Sequence, residues 1–136
     1  MTCLLVENMA GARTAELNSY PGPRHVLDLA TELSLSTEQE QQIQSVFDSM
    51  QSQAQALGVA VVNQEKELSQ EFANGIVDEE QLKQRLQGLA RLYGELRSTH
   101  LNAHLQITPM LSPQQIKHYD QLRGYDATSP SSLHNH

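Results

Sequence analysis

The sequence predicts an all-α fold: a long antiparallel helical hairpin flanked by short N- and C-terminal helices. Three observations lead there. Apolar residues recur at steps of three and four over two long stretches, from Ile43 to Phe72 and from Leu82 to Ile107, as on one face of a helix. Only about four residues, around Asn74-Gly75, separate the two long helices these stretches imply, which leaves room for little but a turn back on itself. Finally, three Ser/Asp-x-x-Gln boxes stand where helices should begin.

The elements follow in order. Residues 1–19 are mildly apolar and form a weakly structured or helical N-terminal segment, interrupted by Gly11. Tyr20-Pro21-Gly22-Pro23 breaks the chain, and Pro23 suits the first position of a short helix over roughly Arg24 to Leu33, with Val26, Leu29 and Leu33 inward. Ser36 caps the next helix and Gln39 returns the bond to it. Ile43, Phe47, Met50, Ala54, Leu57, Val61, Leu68 and Phe72 then keep a coiled-coil spacing, broken once by Gln64. Asn74-Gly75 ends that helix, and Asp78 with Gln81 opens the second long one. Its stripe is Leu82, Leu86, Leu89, Tyr93, Leu96, His100, His104 and Ile107. A second apolar edge, Leu101 and Leu105, needs a cover: the short helix, the final helix or a second chain. Ser112 and Gln115 form the third box, and a short helix runs to about Arg123, closed by Gly124. The helical domain is therefore residues 20–125, followed by a disordered polar tail, 126–136.

Composition narrows the function. The formal net charge of -7 argues against a nucleic-acid partner, since nothing basic is available to displace counterions from phosphates. Sixteen Gln residues (counted along the sequence) point to long helices with polar, weakly charged outer faces. No apolar run is long enough to span a membrane, and no export signal is read in this chain. The single cysteine, Cys3, excludes a disulfide within the chain. There is no Gly-rich phosphate loop and no nucleophile elbow, and the Glu79-Glu80 pair sits in a helix's first turn, where the dipole accounts for it; the chain does not read as an enzyme.

The residues with chemistry to offer are histidines. His100 and His104, four apart, project from one helix face, a spacing a divalent transition metal can use. The same pair also reads as a hydrogen-bonded core histidine and the end of an apolar stripe. Two ligands hold a metal weakly, so a site needs further donors. His25, with Asp28 or Glu32 on the same helix face, is the best candidate. Such a set would suit zinc, nickel or copper, with none required for folding, and binding should fade below about pH 6 as imidazole protonates. His118 carries no assignment, and chelation by His134 and His136 in the tail would be adventitious.

Leu35-Ser36-x-x-Gln39 and Leu111-Ser112-x-x-Gln115 are one five-residue pattern used twice. With Tyr20-Pro21-Gly22-Pro23-Arg24-His25, His100-Leu101-x-x-His104-Leu105 and Tyr119-x-x-Leu122-Arg123-Gly124-Tyr125, it resembles the Spy/CpxP superfamily of periplasmic stress proteins, in its heavy-metal sensor and resistance branch. The resemblance implies a periplasmic, non-catalytic protein that forms a curved homodimer. It implies one of three roles: a metal sensor or resistance protein using His100, His104 and His25, an ATP-independent holdase for unfolded clients, or a regulator docking on a sensor kinase's periplasmic domain.

Overall fold

The computed structural model describes residues 12–125, and among these it holds five α-helices and no strand. We label them α1 (Ala12–Glu16), α2 (Pro23–Asp28), α3 (Thr37–Ala73), α4 (Glu79–Ile107) and α5 (Pro113–Arg123), with a 3₁₀ turn at Thr108–Met110. Helices α3 and α4 pack along their length as the expected hairpin. Cys3, His134, His136 and the proposed tail lie outside the described residues.

All three boxes cap as the sequence indicates. The Ser36, Asp78 and Ser112 side chains each accept from the backbone N–H three residues on, and Gln39, Gln81 and Gln115 reach back to the cap N–H. Each reciprocal pair satisfies two helix-end donors that would otherwise need water. The helix C-termini share a second device. At Ser19, Ser34, Gly75 and Gly124 the backbone turns left-handed, and the next residue's N–H reaches back five positions, to Ala15, Ala30, Glu71 and Asp120 respectively. That is the Schellman closure. Regular helix α2 is shorter than expected: it stops at Asp28, and the residues that follow wind down as turns to the closure at Ser34.

The hairpin seam runs in heptads through Ile43, Phe47, Met50, Ala54, Leu57, Val61, Gln64, Leu68 and Glu71 on α3. On α4 it runs through Leu82, Arg85, Leu89, Leu92, Leu96, Thr99 and Ala103; all of these are buried or half-buried. Several expected stripe members are not in it: Phe72 on α3 and Leu86, Tyr93, His100 and His104 on α4 each follow a seam residue instead of filling the seam, and Ile107 is buried in the core at the base. Phe72 is 56% exposed and Leu86 is 48% exposed, because Glu71 and Arg85, one residue earlier on each helix, take the seam positions. Arg85 pairs there with Glu71 and Glu67 and donates to Gln64 at 2.8 Å, so the polar break in the α3 seam is answered from across the hairpin.

The core lies at the opposite end. Val26, Leu33, Ile43, Ile107, Leu111 and Tyr119 are buried together where α2 and α5 close over the base of the hairpin. Each fully buried aliphatic side chain there contributes about 1.5–3 kcal/mol by leaving water. Neither of the two helices expected as covers packs over the whole Leu101–Leu105 edge, since Leu105 stays 57% exposed. Instead α1 packs on α4, leaving Leu101 half-buried and Leu105 exposed. We refer to residues 12–22 as the strap.

Candidate functional site

Three places in the molecule carry chemistry beyond simple packing. The first is the joint between the two Ser-x-x-Gln boxes. Gln39 Nε2 donates to Gln115 Oε1 at 2.8 Å, and Gln115 Nε2 donates back to Gln39 Oε1 at 3.2 Å. Each amide also donates to a carbonyl just before the other's cap: Gln39 to Met110 at 2.9 Å and Gln115 to Leu33 at 3.2 Å. Each amide oxygen meanwhile accepts from its own serine's N–H, at 2.9 Å in both boxes. The two motifs thus grip each other across 76 residues of chain. Asn could not span this arrangement, and Glu would present an acceptor to both carbonyl oxygens.

The second place is under the strap. His104 is 4% exposed, and its Nδ1 donates to the Tyr20 carbonyl at 2.8 Å. A carbonyl only accepts, so Nδ1 carries the proton and Nε2 is the nitrogen left with a lone pair in the neutral ring. Gly22 packs against that edge of the imidazole. A Cβ placed on Gly22 would lie 2.8 Å from His104 Cε1 and 2.9 Å from Glu16 Oε2. Glycine is therefore required here by close approach, and its φ of -89° is ordinary. Glu16 is 5% exposed and its Oε1 stands 3.5 Å from Arg123 Nε. Tyr119, fully buried, turns its hydroxyl toward the Glu16 carboxylate and the Gly22 backbone without closing a well-aligned hydrogen bond to either. Burial, and then the Glu16 charge, push that hydroxyl's ionisation far up, so it stays a donor. Ser19 ties the strap to α5 by donating to Asp120 at 2.8 Å. His25 borders the same cluster, its pKa lowered by burial and then by the Arg123 charge.

Of the sequence-derived histidines, then, His104 and His25 both border the strap, and His100 is half-buried one turn up α4. Among the described residues no three His, Cys, Asp or Glu side chains converge in a set that could hold a metal ion. Glu16, Tyr119 and Arg123 were not singled out by sequence. Tyr119 and Arg123 stand in the Tyr119-x-x-Leu122-Arg123-Gly124-Tyr125 motif, but Glu16 has no local signal at all.

The third place is a face of the hairpin. In an antiparallel pair, the residue after a seam position turns to the same side on both helices, because each advances by about 100° and the axes run opposite ways. The bond from Tyr93 to Glu65 Oε2, at 3.0 Å, joins two such residues, next to Leu92 and Gln64. The same rule sets Phe72 and Leu86, next to Glu71 and Arg85, side by side on that face near the hairpin tip. His100 and His104, next to Thr99 and Ala103, follow on it toward the base.

Neither the curated proteins nor the solved structures compared with the chain gave a match. Residues 23–123 do match a family, described as LTXXQ motif family protein. That stretch contains both Ser-x-x-Gln boxes and every residue of their joint. Proteins of this Spy/CpxP-like family are typically periplasmic and stress-related, and generally non-catalytic. With most of its length matched and both motifs in their capping places, the chain belongs to the LTXXQ motif family.

Proposed function

We propose that this protein is a non-catalytic periplasmic stress protein that holds unfolded polypeptide against one face of its hairpin. One observation carries the reading: Phe72 and Leu86 are large, apolar and about half exposed on the same side of the tip, with charged neighbours in the seam positions they would otherwise fill. Among the described residues no third element packs over them at the tip. Scattered exposed apolar residues are ordinary, but a pair displaced to one side by an ion pair is a surface kept available. Charge of -7 around it keeps the holder soluble and suits basic, unfolded clients. The test is a Phe72→Ser/Leu86→Ser double variant in an aggregation assay with a chemically unfolded client. Because both side chains are half exposed, Tm should move by only about 2–3 °C, while suppression of aggregation falls several-fold. Undiminished suppression by a folded double variant rejects this face.

A second reading is a divalent metal site on His100 and His104, with His25 as a further donor and zinc, copper or nickel as the ion. What supports it is the His104 tautomer. Donation from Nδ1 to a backbone carbonyl is the orientation that metal-bound imidazoles commonly have, with Nε2 as the ligand. The lowered pKa of His25 also keeps that ring neutral further into the acid range. Titration of zinc, copper and nickel into the wild type and into His100→Ala/His104→Ala decides it. The expected result is at least a tenfold loss of affinity in the double variant; equal affinities discard the site. Whether the chain forms a homodimer or docks on a sensor kinase belongs with these proposals.

A further inference from the structure

We infer that the base of the hairpin contains a binding site for a carboxylate group, and that Glu16 of the strap fills it in cis. This inference is independent of the holdase reading and is an alternative to the metal reading, which uses His25 and His104 as ligands. The donors are Tyr119 and Arg123 of α5, lined by His25 of α2 and the Cε1 edge of His104 of α4, and all lie within the stretch that matches the family. Glu16 and Gly22 precede that stretch. The body of the protein therefore brings a guanidinium, a phenol held as a donor and imidazole edges to one enclosed spot, and a carboxylate enters it from outside the matched region.

Burying a lone carboxylate is costly unless hydrogen bonds and a counter-charge compensate. Here compensation is incomplete. Glu16 Oε1 and Arg123 Nε are both buried, 3.5 Å apart and without a hydrogen bond of good geometry, and the buried Tyr119 hydroxyl is likewise unmatched. Guanidinium and phenol together form a donor set able to grip a carboxylate more closely than the short α1 helix lets Glu16 do. The donors suit a carboxylate in general: a small free acid, or the acid terminus of another polypeptide. Either would compete with the strap for the same place.

The experiment deletes the cis group and supplies it again. Glu16→Ala removes a CH₂–COO⁻ unit, which acetate replaces almost atom for atom. The full-length Glu16→Ala variant should melt several degrees below wild type, and acetate on the order of 0.1 M should restore much of that loss in a saturable way. Acetamide and chloride at matched concentration and ionic strength should not. Wild type, its site occupied, should respond to none of them. If Glu16→Ala does not fold alone, recovery of helical circular dichroism with acetate, and not with acetamide, is the equivalent result. Combining Glu16→Ala with Arg123→Met should abolish the acetate response; Tyr119→Phe, which keeps the ring volume, should weaken it several-fold and serves if the first combination is unfolded. A short peptide with a free C-terminus, compared with its amide, separates the two ligand sources: rescue by acid peptide as well as acetate admits a polypeptide terminus, and rescue by acetate alone restricts the site to small acids. An acetate effect equal to that of acetamide, or one unchanged by the Arg123 and Tyr119 substitutions, overturns the inference.

Discussion

Replacing Gln39 with Leu should cost about 3 kcal/mol of folding stability, a Tm drop on the order of 10 °C. One side chain here closes the α3 capping box, donates to the Met110 carbonyl and exchanges two hydrogen bonds with Gln115. A typical bond contributes about 1 kcal/mol net, and the larger loss comes from breaking four bonds at once in a half-buried place, where water replaces them only in part. Gln115→Leu should cost a similar amount, since the roles mirror one another. The double variant should then be less destabilised than the sum of the two by about 1–2 kcal/mol, because the second substitution removes groups that the first has already orphaned. Urea denaturation of the four proteins measures this directly. Simple additivity would mean that the two boxes act only as separate helix caps.

The second large effect is expected at Gly22. Gly22→Val should cost about 2–3 kcal/mol, since even its Cβ would overlap the His104 ring and the Glu16 carboxylate. His104 cannot easily yield, being held by the Tyr20 carbonyl and 4% exposed. The cheapest escape is for the strap to detach. The loss is therefore capped at the docking energy of residues 12–22, and the backbone amides of Leu17, Asn18 and Tyr20 should lose hydrogen-exchange protection while those of the hairpin keep theirs. A Gly22→Val protein with wild-type Tm and a protected strap would show that the close approach is dispensable.

How much of this was legible beforehand depends on the range of the interaction. The capping boxes were, because a serine and a glutamine three residues apart act within one helical turn. That the two glutamines bind each other was not, since the contact joins distant segments and needs the whole hairpin in place. The α3 seam keeps the expected phase as far as Leu68, but for Phe72 on α3 and for Leu86, Tyr93, His100 and His104 along α4 a 3,4 rhythm admits two neighbouring phases, and the sequence favours the one that turns these residues inward. The ion pair of Glu71 and Arg85 chose the other. Gly75 and Gly124 announced left-handed helix ends, whereas Ser19 and Ser34 adopt the same conformation without a glycine to advertise it. At the base, His104 was singled out for its spacing to His100, but its nearest polar neighbours come from the Tyr20–Gly22 turn and from Glu16. No local pattern marks a glutamate that will be buried.

The two ends of the rod are fastened by different forces. At the base the glutamine amides are neutral, and dissolved ions scarcely touch such bonds. At the tip, Arg85 is held by Glu71 and Glu67, charges that reach the solvent and are weakened as electrolyte shortens the Debye length. A rise in the salinity of the surroundings therefore slackens the distal turn, where Phe72 and Leu86 sit, and leaves the grip of the two glutamines as tight as before.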